Sequence, residues 1–406
     1  MSIPNQKVEI GFNSEDSPFG PFFTLDSAEK GVLDGTEYVL GGEVFVDVSD
    51  RVKSYQVDRG KSRRFSTFPA GAAGIRLNNH DRAFDPTYPD SPFFGQIIAR
   101  REIIITAGSA TIFRGFIDDW NLTYAVSGDS IADGVAKDVT SFFAKQILTA
   151  GTPVAQTTGE RINAVLDDPE VNWGTTLRDI DTGTRNVGTQ PIEDNTNALT
   201  YLNKVAETEQ GQFFENSQGE VAFREDAIVV SADTTVTFGQ ETGVPYSGIQ
   251  VLFGSELLYN EVVIANVGGG TATASDEDSQ GTYGIRNLTI TDLLGANDTQ
   301  SVDLALELVE QYNQPEFRIE NLVIDVHGLD PADQESVLDI EIGDVSEIIF
   351  RPNNIGDAIV RFGRVISVKH DVNPEVHVVR LGFQEVKNIP FVLSDPKFGI
   401  LDTSTL

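Results

Sequence analysis

Val52-Lys53-Ser54-Tyr55-Gln56-Val57 alternates between apolar and polar side chains. This period of two is typical of a β-strand with one face in the core and one in solvent. Short apolar runs recur along the chain with Gly, Pro and Asn between them, which predicts a mainly β fold, a sandwich or a small barrel. We expect further strands at 38–40, 44–46, 75–77, 103–105, 112–117, 338–342, 346–350, 359–368 and 375–383.

Helices are predicted mostly in the middle of the chain. Thr157-Thr158-Gly159-Glu160 has the spacing of a capping box, which would begin a helix before Ile162. The apolar residues of 134–148 fall on one face when that segment is drawn as a helix. The other predicted elements are a helix capped by Asn195 or Thr196 and ended by Gly211, a β-hairpin over 212–223, and a helix over 299–313 ended by Pro315.

The order of these elements divides the chain into two β-rich parts with an α/β part between them. A loop at 267–281 is expected to be flexible, because it combines a glycine run with Asp276-Glu277-Asp278 and has no apolar anchor. The approximate boundaries are an N-terminal segment at 1–36, a first β-barrel-like domain at 37–127, a mixed α/β domain at 128–240, a second β-rich domain with one helix at 241–390, and a C-terminal tail at 391–406.

The charge balance disfavours a nucleic-acid-binding protein. The 406-residue chain has 62 Asp and Glu against 29 Lys and Arg, a formal net charge of −33, and such a surface repels phosphate and anionic lipid. Residues 271–350 include 18 acidic and two basic side chains, so this segment is either a solvated acidic surface or one that must not bind DNA. Neither a signal peptide in residues 1–11 nor a membrane-spanning segment is expected.

A hydrolase motif is incomplete in this sequence. Gly128-Asp129-Ser130-Ile131 resembles the nucleophile block of the GDS-type serine hydrolases, which also needs a downstream Asp-x-x-His to supply the base. None of the histidines has an acidic residue three positions before it, so we expect a turn and no enzyme. The four histidines are His80, His327, His370 and His377.

No catalytic, cofactor-binding or metal-binding residue is assigned, and no cofactor is expected. The chain has no cysteine, and no two histidines have the i, i+4 spacing of a helical metal site. Asp276-Glu277-Asp278 offers oxygen ligands but lacks the alternating acids of a calcium loop, which favours a solvated loop. Gly268-Gly269-Gly270 is not followed by the Gly-Lys-Ser/Thr of a phosphate loop.

One basic cluster stands out in this acidic chain. Asp50 and Asp58 dilute its charge, and Tyr55 and Val57 interleave with it as in a strand. It favours an electrostatic contact with an acidic neighbouring domain or subunit, and the alternative is a solvated strand edge. The cluster comprises Arg51, Lys53, Arg59, Lys61, Arg63 and Arg64.

The stretch from Ser54 to Asp118 resembles the N-terminal domain of minor tail proteins from long-tailed phages of actinobacteria and their relatives. Residues 197–224 are similar to the helix–hairpin block of that family, and residues 342–344 and 363–370 resemble its closing barrel. The matching segments of the first stretch are Val57–Arg63, Phe68–Gly71, Leu77–Pro86, Ser91–Gly95 and Ile112–Asp118. Within them, Arg82 is expected to pair with Asp81 or Asp85.

The resemblance implies a central hub of the phage tail tip. Such hubs are homotrimers whose two β-barrel-like domains make a ring of six similar modules around the DNA exit channel. The ring would join a distal tail protein ring to tip or fibre proteins, contact the C-terminus of the tape measure protein, and let DNA pass without specific binding. The alternatives are a hexameric distal tail ring protein and, more remotely, a tail-associated hydrolase.

Overall fold

The computed structural model describes residues 4–13, 43–126, 128–225 and 234–386. The expected strand at 38–40 and the C-terminal tail lie outside these ranges. The first part of the chain forms seven strands within the described residues, which we call the first β module. They are β1 Gln6–Asn13, β2 Glu43–Asp47, β3 Val52–Gly60, β4 Ala72–Asn78, β5 Arg101–Ala107, β6 Ala110–Tyr124 and β7 Ser130–Lys137.

The first β module is one antiparallel sheet in the order β3-β4-β7-β6-β5-β1-β2. Alternate residues of the strands are buried, as in β5, where Arg101, Ile103 and Ile105 point inward. Buried residues from β1, β3 and β4 through β7 join one core, so the sheet curls around it. Since β1 lies in this sheet, the predicted N-terminal segment differs from the structure over residues 6–13.

The predicted helix over 134–148 is wrong. Residues 130–137 form β7, which pairs with β4 and β6, and a single short helix follows. Ala132, Gly134 and Ala136 are the buried residues of this strand, and their small side chains give little signal of a period of two. Gly134 packs against Ile75, where an added Cβ would lie 2.9 Å from Ile75 Cγ1. The first module therefore extends past the predicted boundary at 128.

Residues 138–225 form the middle unit. As predicted, Thr157 and Glu160 make a capping box at the start of α2. The cap of α3 is Asn197, not Asn195 or Thr196, and the helix ends at Gln210 in a left-handed conformation before Gly211. The elements are α1 Thr140–Phe143, β8 Gln156–Thr157, α2 Thr158–Leu166, β9 Arg178–Ile180, β10 Asn186–Val187, α3 Ala198–Glu209 and the predicted hairpin, β11 Gln212–Glu215 and β12 Val221–Arg224.

The last part of the chain contains two structures with separate cores. Residues 255–313 fold as an inserted unit, in which α5 packs on a three-stranded sheet. Residues 234–254 and 314–386, on either side of this unit, form the second β module. In chain order the elements are β13 Val236–Gly239, β14 Gly248–Gly254, β15 Glu261–Asn266, β16 Thr271–Ser275, α4 Glu277–Tyr283, β17 Asn287–Leu293, α5 Asp298–Tyr312, β18 Glu316–Asp325, α6 Pro331–Leu338, β19 Val345–Phe350, β20 Ile359–Asn373 and β21 Val376–Glu385.

Two predictions in this part are wrong. The expected flexible loop at 267–281 contains β16 and the first five residues of α4, which Asp276 caps by accepting from the Ser279 amide. The expected strand at 338–342 is the end of α6 and the turn after it, since Asp330 caps that helix and Pro331 begins it. The predicted helix α5 is confirmed with Ala305, Leu308, Val309 and Tyr312 on its buried face.

Candidate functional site: the seam between the two β modules

The two β modules are joined by direct pairing of β3 with β20. Ser367 to Val372 pair antiparallel with Gly60 to Tyr55, and the earlier half of β20 pairs with β19. This pairing, which we call the seam, makes one 13-stranded sheet within the described residues. At Gly60 the backbones approach closely, and φ is +105°. An added Cβ there would lie 2.2 Å from the Ile366 carbonyl oxygen, so the crossing requires glycine.

Arg59 connects three parts of the chain at the seam. Its side chain is buried, and its guanidinium donates to both carboxylate oxygens of Glu341, at 2.7 and 2.9 Å. Glu341 also accepts from the backbone amides of Ser217 and Ile342, each at 2.7 Å. One carboxylate therefore holds the first module, the turn of the β11–β12 hairpin and the second module together.

Two further carboxyl groups are buried close to Arg59. Asp138 accepts from the amides of Gly71 and Thr140 at 2.5 and 3.0 Å, and Glu215 accepts from the amide of Val139. Burial raises the pKa of Asp138 to about 6, an effect that these hydrogen bonds reduce. Burial, followed by the charge of Asp138, holds the pKa of Glu215 well above its usual range. Burial therefore opposes ionisation of both Asp138 and Glu215.

A chain of polar side chains crosses the seam on the other side. Nε2 of Gln6 lies 3.3 Å from Nδ1 of His377, and Nε2 of His377 lies 3.0 Å from Nδ1 of His370. Since Nδ1 of His377 accepts from the Gln6 amide, its proton is on Nε2, which donates to His370. The Tyr55 hydroxyl donates to the side-chain oxygen Oε1 of Gln6. Strands β1 and β3 are thus linked to β20 and β21.

The imidazoles of His370 and His377 are both held neutral. Burial lowers the pKa of His377 to about 4. The pKa of His370 is lowered well below its usual value by burial, and then by the charges of His377 and Arg59. If both imidazoles took up a proton, two cations would lie side by side in the core.

The predicted contact between the basic cluster and an acidic neighbouring domain is confirmed for two of its members. Arg59 pairs with Glu341, and Arg63 pairs with Glu256 at 3.0 Å, both outside the first module. Arg51 and Lys53 instead pair with Asp81 and Asp129 of their own module. Lys61 donates to the Arg64 carbonyl, and Arg64 donates to Gln384, an uncharged residue of β21. The predicted pair of Arg82 with Asp85 is also present, at 2.7 Å.

The hydrolase-like block forms a turn, as predicted, but it leads into strand β7 and not into a helix. Ser130 pairs in register with Tyr124, and the ring of His80 contacts the carbonyl of Gly128 through Nδ1 at 2.8 Å. Asp276-Glu277-Asp278 is the cap and first turn of α4. Across the described ranges, no group of three or more His, Asp or Glu residues is arranged to hold a metal ion.

Sequence reasoning missed the histidine pair and the pair of Arg59 with Glu341. In the β20–β21 hairpin Val372 lies opposite His377, which puts His370 and His377 diagonally on one face. That register could have indicated their contact. Arg59 and Glu341 are 282 residues apart, and no local pattern connects them.

Two solved structures of tail proteins share this fold. The crystal structure of the tail protein from Neisseria meningitidis MC58 aligns with a TM-score of 0.59 and 12% identity, over 85% of this chain and 94% of that one. The 43 kDa tail protein of prophage MuSo2 from Shewanella oneidensis aligns with a TM-score of 0.54 and 12% identity, over 85% of this chain and 96% of that one. The fold that the sequence resemblance implies, mainly β with several domains, is therefore confirmed.

Comparison with protein families gives no match, and comparison with curated protein sequences gives none either. Among the helices of the described residues, none is both long enough and apolar enough to span a membrane.

Proposed function

We propose that this protein is a structural component of a bacteriophage tail, the trimeric hub at the tail tip. The fold shared with two tail proteins supports a structural role in a tail. The hub would join the six-fold tail tube and distal tail ring to three-fold tip or fibre proteins, and would surround the DNA exit channel. It would be made in the host bacterial cytoplasm and reach the virion by assembly.

The trimer is proposed because of the seam. The seam holds two β modules side by side in one sheet, each around its own core. Three copies related by a three-fold axis would present six β modules in a closed ring. Such a ring matches a six-fold neighbour on one face and a three-fold neighbour on the other. The proposed partners are other copies of this chain, the distal tail ring, the tape measure protein C-terminus, and the tip or fibre proteins.

The copy number tests this proposal directly. Native mass spectrometry of the full chain, alone and in tail tips isolated from virions, should give three copies. Labelled antibody seen by electron microscopy should mark the tip of the tail. A stable hexamer of this chain would contradict the hub and favour the distal tail ring protein, and labelling along the tail shaft would contradict both.

The proposed function includes no catalytic step. Ser130 lies at the start of a sheet strand, and the nearby His80 contacts a backbone carbonyl. We therefore expect Ser130→Ala to leave the infectivity of assembled virions unchanged. Virions that contain normal amounts of this variant and fail to degrade peptidoglycan or to infect would reveal a hydrolase.

A further inference from the structure

A cleft of about 790 Å³ opens beside the seam. Its first wall runs from Asp58, near the end of β3, to Ala72, at the start of β4. Its second wall is formed by β18, β20 and β21. Leu257 and Tyr312 of the inserted unit close a third side. This volume lies within the range of pockets that hold a drug-sized molecule, roughly 300–1,000 Å³, so it has room for a few side chains of a larger segment.

The lining of the cleft has a charge balance unlike that of the whole chain. Within the described residues it contains six Lys and Arg and four Asp and Glu, in a protein with 62 acids and 29 bases. Cations thus outnumber acids in this lining, whereas acids outnumber cations in the chain as a whole. The basic residues are Lys61, Arg63, Arg64, Arg318, Lys369 and Arg380, and the acidic residues are Asp58, Glu256, Glu320 and Glu385.

The cations are graded by depth. Lys61 and Arg64 are buried, and both bond to the surrounding protein. Arg63 and Lys369 lie at the rim, with 71% and 48% of their side chains exposed. Two buried cations inside and two exposed cations at the rim can contact successive carboxylates of one segment, from the mouth of the cleft to its interior.

The acids that pair with the rim cations can be displaced. Lys369 pairs with Asp58, which is 57% exposed, and Arg63 pairs with Glu256, which is 39% exposed. Ion pairs this exposed contribute about 0–1 kcal/mol each, so an incoming carboxylate can replace an internal one at little cost. Glu256 still keeps Arg318, to which it is bonded at 2.8 Å.

We propose that this cleft binds an acidic peptide segment, and that in the assembled ring the segment comes from a second copy of this chain. Within the described residues, α6 and its flanks offer a complement, because Asp330, Glu335 and Asp339 are exposed there. The four acids of the lining would repel a continuous phosphate backbone, whereas a peptide can space its carboxylates between them. The source of the segment rests on the proposed trimer, but the binding chemistry does not.

The test uses the full chain and a fluorescent peptide with the sequence of residues 329–340. Fluorescence anisotropy should show binding that weakens as salt rises. A matched peptide with Asn and Gln in place of Asp and Glu should bind at least about tenfold more weakly. Equal binding of the two peptides, or equal binding of a 12-nucleotide single-stranded DNA, would overturn the proposal, and so would no binding of the acidic peptide.

Charge reversal at the rim locates the site. Arg63→Glu combined with Lys369→Glu should weaken binding of the acidic peptide by at least about tenfold. Arg76→Glu is the control, because Arg76 is similarly exposed, is paired with Asp133, and does not line the cleft. An unchanged affinity in the double variant would contradict the proposal. A trimer that persists without peptide binding would refute the cleft and leave the hub, and peptide binding by a chain that stays monomeric would refute the trimer.

Discussion

Arg59 is the cation around which the buried acids of the seam are arranged. It pairs directly with Glu341, and its positive charge lowers the pKa of both Asp138 and Glu215 against the larger effect of burial. The same charge opposes protonation of His370. One buried guanidinium therefore favours ionised carboxyl groups on one side of the seam and a neutral imidazole on the other.

The buried histidines and Asp138 make the free energy of unfolding depend on pH in opposite directions. A histidine with a lowered pKa in the folded state binds fewer protons there than in the unfolded state, so its contribution is lost as pH falls from about 6.5 through its folded pKa of about 4. Asp138 has a raised pKa in the folded state. Its contribution is present below its unfolded pKa and is lost as pH rises through about 6. The two effects partly cancel between pH 4 and 6.

Removing one histidine should expose this balance. We expect His377→Gln, which keeps a donor for His370, to make the free energy of unfolding fall less on going from pH 6.5 to pH 4 than in the original protein. The difference should be about 3 kcal/mol, from a pKa displaced by about 2.5 units. Urea denaturation at a series of pH values, followed by tryptophan fluorescence, measures it. The exposed His80→Gln is the control, and parallel pH profiles for all three proteins would contradict the prediction.

Strands and helices were predictable where their signals are local. The capping box of α2, the turn of the β11–β12 hairpin and the apolar face of α5 each lie within about one element of chain, and each is found. Strand β7 was missed because its buried side chains are Ala and Gly, and their burial depends on Ile75 and Ile117 of other strands. The seam itself joins residues about 310 positions apart, so no sequence period indicates it.

At the scale of elements, Gly60 should be the least replaceable residue of the seam. Gly60→Ala adds a Cβ that meets the backbone of β20 in a conformation that strains any side chain. We expect a loss of at least about 2 kcal/mol in the free energy of unfolding, with faster hydrogen exchange in β3 and β20. Gly74→Ala on the adjacent strand is the matched control, since an added Cβ there meets nothing within 4 Å. Equal effects of the two changes would show that the close crossing is not required.

At the scale of the whole molecule, part of the acid in residues 271–350 has a structural role in the chain. Asp276 and Asp330 cap helices, Glu341 pairs with Arg59, and Glu347 is buried. Glu307 pairs with Arg185 of the middle unit. These positions explain some of the imbalance without any channel. These contacts do not account for the exposed acids of the segment, which include Asp303 and Glu310 on α5.

We propose that some of these exposed acids line the DNA channel of the assembled hub. A lumen lysine near a phosphate would hold passing DNA by about 1 kcal/mol per contact, and several contacts would slow its exit. Carboxylates avoid this, and counterions screen the remaining repulsion over about 10 Å. The competing explanation is that the acids face solvent and keep the protein soluble.

Charge reversal on α5 separates the two explanations. Asp303→Lys with Glu310→Lys is preferable to a change at Glu307, whose reversal would also break its pair with Arg185. If the exposed acids line the channel, virions with the double variant should eject DNA more slowly, and the delay should shrink as salt rises, because salt screens the new contacts. Asp194→Lys in the middle unit controls for a general effect of added positive charge.

A structure of the assembled tip would identify which acids face the bore. Unchanged ejection from virions in which bore-lining acids have been reversed would leave solubility as the role of the acidic surface.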